Sequence, residues 1–403
     1  MELFWLEHKK LWRKKIVKIC VLLCFVYCVI FGSILSFQWF CFGSSDDYTS
    51  AFGNNFDGYT VIKDSQEYAL SFGGELTDET LQQIVSDYQQ MEADGMGEEL
   101  EKTDWQIVNS WLGTLYPELR DTSNYKTMIS YVDPDKLTGF YERRQQVLDE
   151  FLEVSGQVGA EKEYLHQIDG KVEKPFHYEW VEGWSTILGS MVADLGVVMA
   201  LFLGIVLSSL FAGEWHDNTS TLVLTTRNGW GKIALAKILT GLAFTVELFA
   251  LLAVSSVISQ LFFMGTAGWD MPIQNIKLIA VAPMNMLQAE IYEYAFVLLG
   301  AIGFAGIVMF ISAAVKNNVL TLLLSLTVVY GPMMIAEYLP YGMQKALDLI
   351  PLVGSSTDIF RTNTFRILGK LIWSPYLLIT IPVLIGILCM PFAIKSWSRR
   401  MKA

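Results

Sequence analysis

The sequence predicts an all-α polytopic membrane protein with six transmembrane helices, plus an inserted α+β extracytoplasmic domain between helices one and two. Three observations predict this fold class. Only 17% of the 403 residues are charged and 52% are hydrophobic, whereas soluble domains carry about 25% charged residues. Long runs without charge recur along the chain, and the acidic residues concentrate in one segment.

Six apolar runs predict the transmembrane helices, since a helix needs roughly 20 apolar residues to cross the hydrocarbon core. The runs are residues 19–45, 184–212, 233–264, 294–315, 319–336 and 371–394. The second and third runs are each interrupted by one acid, Asp194 and Glu247 respectively. The first run is too long for a signal peptide and lacks a small-residue cleavage site, so we expect it to remain as an anchor.

The distribution of charge predicts the orientation in the membrane. Between Asp46 and Glu182 there are 29 acidic and 10 basic residues, a net charge of −19. Basic residues cluster instead at the two ends of the chain. By the positive-inside rule we expect both termini in the cytoplasm and residues 44–183 outside the cell, in a multi-pass protein of the cell membrane.

Four regions follow from these patterns. Residues 1–15 place Leu and Trp side chains opposite Lys and Arg, which predicts an amphipathic cytoplasmic helix on the inner leaflet; a solvated basic tail is the alternative. Residues 16–43 form transmembrane helix one and 44–183 the extracytoplasmic domain. Residues 184–403 carry helices two to six, with a cytoplasmic loop at 213–232.

Within the acidic segment the residue types predict a small mixed domain. Residues 58–72 alternate as a hairpin does, and Thr77 is placed to cap a helix over 78–93. Asp133 and Pro134 are placed to begin a helix that runs to about Glu153. His166 and His177 match no metal-ligand spacing, so we expect no metal site.

The short polar loop between runs two and three carries a motif. An acid follows the second run, then come a small polar residue with Thr, a Leu-rich stretch, a basic residue and a Lys in the third run. The residues concerned are Glu214, Asn218, Thr219, Leu222, Leu224, Arg227 or Lys232, and Lys237. This pattern resembles permease subunits of ATP-binding-cassette (ABC) exporters, the second export class, although Asn218 stands where that family usually has Gly.

The resemblance implies a transport subunit that works with partners. Residues 214–230 would form the coupling helix, which seats in a groove of a separate ABC ATPase subunit, and residues 1–15 the connecting helix. A second permease copy, identical or a sister subunit, would complete the pathway within the membrane lipids. We expect no cofactor and no nucleic acid partner.

The chain itself carries no nucleotide site in its sequence. The "GWGK" at 229–232 contains the Gly-Lys of a phosphate-binding loop, but Thr226 and Ile233 stand where that loop needs Gly and Ser or Thr. Metalloprotease and nucleophile motifs are also missing from the sequence. We therefore expect no enzyme activity in this chain, and ATP hydrolysis by the partner.

Asp194 and Glu247 are the predicted pathway residues. Both are expected near mid-bilayer, where a carboxylate costs at least ~2.5 kcal/mol, so they should face the bundle interior or water. Contact with a cationic group of the substrate is one hypothesis; a protonated acid bonded to a neighbouring helix is the other. The acidic outer domain favours a cationic or antimicrobial peptide or a lipophilic compound, as in bacterial peptide efflux.

A different class of function competes with this interpretation. The chain would then be a membrane-anchored receptor or sensor whose acidic outer domain binds an extracellular ligand. Five further spans with carboxylates at mid-depth are more than such an anchor needs.

Overall fold

The computed structural model describes residues 2–30, 62–63, 66–67, 69, 73–96, 105–121, 126–188, 192–219, 231–354 and 362–399. The described chain is mostly helical, with small two-stranded sheets. Among these residues five helices are long and apolar enough to cross a membrane. They are Leu195–His216, Lys232–Met264, Met286–Ala314, Asn318–Tyr338 and Ser374–Ser398.

The chain begins with two helices that meet at Lys14. Helix α1 (Glu2–Arg13) carries acid in its first turn and base in its last, and it buries Leu11. Helix α2 (Lys15–Val29) buries one face made of Val17 and three cysteines at i, i+4 and i+8. These cysteines pack as small apolar residues. The described part of the predicted first span lies in α2, and the rest of it falls outside the described residues.

A small domain follows. Strand β1 (Gly74–Leu76) pairs antiparallel with β2 (Phe176–Tyr178), and helices lie between them in the chain. The helices are α3 (Asp78–Met91), α4 (Trp105–Leu115), α5 (Phe140–Val154), α6 (Ala160–Asp169) and, after β2, α7 (Glu182–Thr186). Most of the predicted hairpin at 58–72 lies outside the described residues, and those described, 62–63, 66–67 and 69, are helical, so the prediction is wrong there.

The first helix of the domain starts as predicted, but the later one does not. The hydroxyl of Thr77 accepts from the backbone N–H of Thr80 at 3.3 Å and caps α3. The helix expected from Asp133 is interrupted: one 3-10 turn covers Pro134–Lys136, and α5 begins only at Phe140. The break follows from Gly139, whose φ of 72° lies in the left-handed region.

The remaining helices form a bundle. They are α8 (Val192–His216), α9 (Lys232–Met264), α10 (Met286–Ala314) and α11 (Asn318–Ile335), followed by the short α12 (Tyr341–Leu347). A hairpin of β3 (Thr364–Ile367) and β4 (Lys370–Trp373) then leads into α13 (Ser374–Arg399). Helix α10 lies at the centre, against both α8 and α13.

Helices α10 and α13 approach closely because both present glycine. A Cβ atom at Gly303 would overlap the carbonyl of Pro382, and one at Gly306 would overlap the backbone of Gly386. Small residues at such a contact let helix backbones pack tightly in a membrane. Next to it, the turn before β3 enters the bundle, where Leu352 is 3% exposed and packs on Gly300.

Two large apolar cores lie at different levels of the described part of the molecule. One fills the domain and also takes in residues 271–292 and Trp373; the other fills the bundle. The loop between α9 and α10 therefore belongs to the domain core, where the indole of Trp111 donates to the carbonyl of Asn275 at 2.8 Å. The domain thus extends beyond the 44–183 segment, and it occupies the end of the bundle opposite α1.

The domain core also contains a buried ion pair. The guanidinium of Arg144 contacts the carboxylate of Asp169 at 2.6 Å, and both side chains are almost fully buried. Its remaining N–H groups donate to the carbonyls of Leu278 and Ala280, at 2.7 and 3.1 Å. The pair satisfies the guanidinium and fastens the α9–α10 loop to the domain.

Candidate functional site

Three of the six predicted coupling residues, Glu214, Asn218 and Thr219, lie where α8 ends. Glu214 lies in the last turn of α8, Asn218 turns the chain with a φ of 57°, and Thr219 follows. The hydroxyl of Thr219 donates to the Glu214 carboxylate at 2.5 Å. The predicted residues Leu222, Leu224 and Arg227 lie outside the described residues.

The Glu214 side chain is 3% exposed and is held by two lysines. Its Oε1 accepts from Lys10 Nζ of α1 at 2.6 Å and from Lys237 Nζ of α9 at 2.7 Å. Lys237, 2% exposed, also contacts the carboxylate of Glu7 at 2.7 Å. A buried carboxylate is stable only where such partners compensate it. We call the cluster of Glu7, Lys10, Glu214 and Lys237 the amino-end joint.

The joint brings together three helices that are distant in sequence. Lys10 is separated from Glu214 by 204 positions, and Lys237 from Glu7 by 230. Burial alone would lower the pKa of Lys10, but the adjacent Glu214 carboxylate outweighs burial and raises it. Since the lysine and the acid both stay charged, α1 is fixed electrostatically to the ends of α8 and α9.

A further lysine of the same region is held differently. Lys14 Nζ donates to the hydroxyl of Ser209 on α8 at 2.9 Å. Burial, followed by the charges of Lys237 and Lys10, lowers the pKa of Lys14. The start of α2 is thereby also attached to α8.

The two predicted pathway acids have separate positions. Asp194 lies in the first turn of α8, near the domain. Glu247, on α9, is 43% exposed; it accepts from the indole of Trp12 at 3.0 Å and lies 3.2 Å from His8 Nε2. Helix α9 has 33 residues, about 50 Å, which exceeds the ~30 Å hydrocarbon core. Part of α9 must lie outside that core, and α1 packs along its first half.

Sequence reasoning missed a second set of buried acids. Glu290 and Glu293 lie in the first turns of α10 and are 4% and 0% exposed. Among the described residues the Glu293 carboxylate has no hydrogen-bond partner, and the Glu290 carboxylate lies near the Tyr294 hydroxyl without a well-aligned bond. The available signal was the pair of acids at i and i+3 directly before the fourth apolar run, a spacing that places both on one helix face.

An open cleft of about 410 Å³ lies in the domain beside the start of α10. Lys171, His177 and Asp270 line it, together with Gln274, which is fully buried. The Gln274 amide donates to the carbonyls of Ala280 and Ala282, both at 2.9 Å. The lining therefore includes positively and negatively charged side chains, and it does not favour a ligand of either charge.

The structure gathers no group of three or more His, Cys, Asp or Glu side chains that could hold a metal ion in its described parts. His166 instead hydrogen-bonds Gln145 and contacts Asp149, while the His177 side chain is exposed on β2. In comparisons with known proteins, no family model, no curated protein and no solved structure matches the chain. The class that the fold defines is a helical protein with five helices able to span a membrane.

Proposed function

We propose that this chain is the permease subunit of an ATP-driven ABC exporter of the second export class. Two permeases form the substrate pathway, and a separate ATPase supplies the energy through the loop at 214–230. Six spans place both termini in the cytoplasm, with α2 belonging to the first span, and leave the domain outside the cell. The substrate is a cationic or antimicrobial peptide or a lipophilic compound.

The amino-end joint is the observation that carries the proposal. A coupling loop must pass a displacement into the helices on both sides of it. Glu214 lies where α8 enters the loop, and Lys237 lies in the second turn of α9, where the chain leaves it. Because one carboxylate bonds both α9 and α1, a force on the loop reaches three helices together.

The burial of the joint supports a mechanical role. Glu214 and Lys237 are nearly inaccessible, so neither is available to bind a ligand directly. The breaking of such a buried pair costs about 3–5 kcal/mol, which makes the connection stiff enough to move as one unit. A receptor held by passive anchors has no need of a stiff link at this position.

Affinity purification of the tagged chain from its native membrane tests the proposal. We expect an ATPase with a complete phosphate-binding loop to co-purify, and its recovery to fall at least about tenfold for Leu222→Asp/Leu224→Asp, since the variant disrupts the loop contact. The matched control, Leu368→Asp, changes a fully exposed leucine in the β3–β4 turn and should leave recovery unchanged.

Two results would contradict the proposal. One is that no ATPase accompanies a chain purified in mild detergent and shown to be folded. The other is that a cysteine introduced at Asn218 is labelled from outside intact cells. The second outcome would place the loop on the wrong side of the membrane for a cytosolic partner.

A further inference from the structure

A polar layer separates the two apolar cores of the molecule. Along α10, Ala289 and Tyr292 belong to the domain core, whereas Phe296 and Val297 belong to the bundle core. Acids occupy the boundary between these levels, and α9 contributes further polar groups beside them. The residues of this layer are Ser256, Gln260, Glu290, Glu293 and Tyr294, which we call the junction layer.

The register of α9 against α10 places these side chains together. The hydroxyls of Ser256 and Tyr294 are hydrogen-bonded at 2.7 Å. The two helices run antiparallel, because the loop that joins them belongs to the domain. One turn nearer the domain, Gln260 follows Ser256 on α9, and Glu290 precedes Tyr294 on α10. On this register Gln260 and Glu290 lie at the same level of the two helices.

The junction layer lacks the partners that its charges require. Gln260 is 1% exposed, and its Nε2 has no acceptor among the described residues. The carboxylate of Glu293 has no donor there, and that of Glu290 has the neutral Tyr294 hydroxyl nearby but no cation. No lysine or arginine of the described chain forms an ion pair with either acid. Buried polar groups are nearly always paired, and an unpaired acid at membrane depth points to a functional site.

We propose that Glu290 and Glu293 bind the ammonium or guanidinium group of a transported lipophilic cation. This inference rests on the proposed export function and names its substrate class and its contact. A positively charged N–H donor supplies the opposite charge that both carboxylates lack and the hydrogen bond that Glu293 lacks. The acidic segment, at −19, concentrates cations at the same end of the bundle.

The surroundings favour an organic cation over a metal ion. Calcium takes six to eight oxygen ligands, as a general rule, whereas only two acids meet here and no third metal-binding side chain joins them in the described residues. The ring of Tyr294 lies edge to face with Phe249 at 6.1 Å between centroids, which provides an aromatic wall. Aromatic faces attract organic cations.

The layer is closed in this conformation, so binding requires α9 and α10 to separate at their domain end. The amino-end joint holds α9 by its first turns, near Lys237, at the end of the helix away from the junction layer. Thermal fluctuation of the two helices would admit an amine to the purified chain, and motion of α9 produced by the partner ATPase would make this opening more frequent. Exposure of the acids would then be linked to the transport cycle.

Fluorescence titration of the purified full-length chain tests the site with dansylcadaverine, a primary amine with an environment-sensitive ring. Its N-acetylated form is the matched neutral probe. We expect the wild type to bind the amine at least about tenfold more tightly than the acetylated form. Glu290→Gln/Glu293→Gln should abolish this preference, whereas Glu337→Gln, an exposed acid at the domain end of α11, should retain it.

A second variant keeps both acids. Gln260→Lys places an internal ammonium opposite Glu290 and should weaken amine binding at least about tenfold by occupying the site. This variant remains informative if the double variant fails to fold. Equal affinity of the wild type for both probes, or unchanged amine binding in either variant, would overturn the inference.

The failure of this site and the failure of the export function are distinguishable. A chain that recruits its ATPase but binds the amine independently of Glu290 and Glu293 refutes only the site. A chain with acid-dependent amine binding that recruits no ATPase retains the site as a cation receptor and refutes its transport role. The co-purification and the titration therefore report on separate statements.

Discussion

Buried acids lie at both ends of the bundle, but only those at the amino end have positively charged partners among the described residues. At the amino end, Glu214 has two lysines and a threonine hydroxyl within hydrogen-bond distance. In the junction layer, neither Glu290 nor Glu293 forms an ion pair with a described residue, and only the neutral Tyr294 hydroxyl lies near Glu290. The difference shows that burial alone does not determine the role of an acidic side chain. A compensated acid holds helices together, and an uncompensated one is available for a ligand that brings its own charge.

The replacement Glu214→Ala should have the largest effect. It leaves the buried Lys237 with Glu7 as its remaining carboxylate partner, so we expect a loss of about 3–5 kcal/mol in the free energy of unfolding. Thermal unfolding followed by size-exclusion chromatography measures it, with Glu337→Ala as the control. If Glu214→Ala were as stable as this control, the contacts of Glu214 would not hold the helices together as stated.

Glu290→Gln/Glu293→Gln should change stability in the opposite sense. The amides remove buried carboxylates that have no ion-pair partner among the described residues, so we expect an unfolding free energy equal to that of the wild type or about 1 kcal/mol higher. The same thermal assay, without added amine, checks this. A loss as large as that of Glu214→Ala would mean that the two acids have a structural partner after all.

Lys10→Gln should have the smallest effect on the free energy of unfolding. It measures the contribution of the exposed lysine of the amino-end joint. The Lys10 side chain is 51% exposed, so solvent screening limits the expected loss to under about 1 kcal/mol. The raised pKa of Lys10 means that its contribution is complete below the unfolded value of about 10.4 and is lost as pH rises through the folded value. The difference between the unfolding curves of the two proteins should be full at pH 8 and should shrink as pH rises above about 10.4.

The sequence was informative wherever the signal was local. Thr77 caps α3 as its position predicts, and the apolar runs after residue 184 all became long helices. The motif placed Glu214 at the end of α8, but the partner Lys10 is 204 positions away and no local pattern links the two. Long-range charge pairs depend on how helices pack, which a pattern of single residues does not encode.

Two other features illustrate the same limit. The domain predicted from the sequence ended at residue 183, yet the loop at 265–285 completes its core through backbone carbonyls such as those of Asn275 and Leu278. Backbone acceptors leave no trace in residue type. Glu290 and Glu293 were overlooked because they precede the fourth apolar run, and only the start of α10 at Met286 brings them into a helix able to span the membrane.

The anchoring of Trp111 and Arg144 to the α9–α10 loop has a consequence for biosynthesis. Both side chains emerge from the ribosome more than 130 residues before their acceptors, the carbonyls of Asn275, Leu278 and Ala280. The domain core therefore stays incompletely packed until the loop after α9 has been synthesised. A fragment ending at residue 188 would lack these acceptors, so excision of the domain should yield a polypeptide that does not mature.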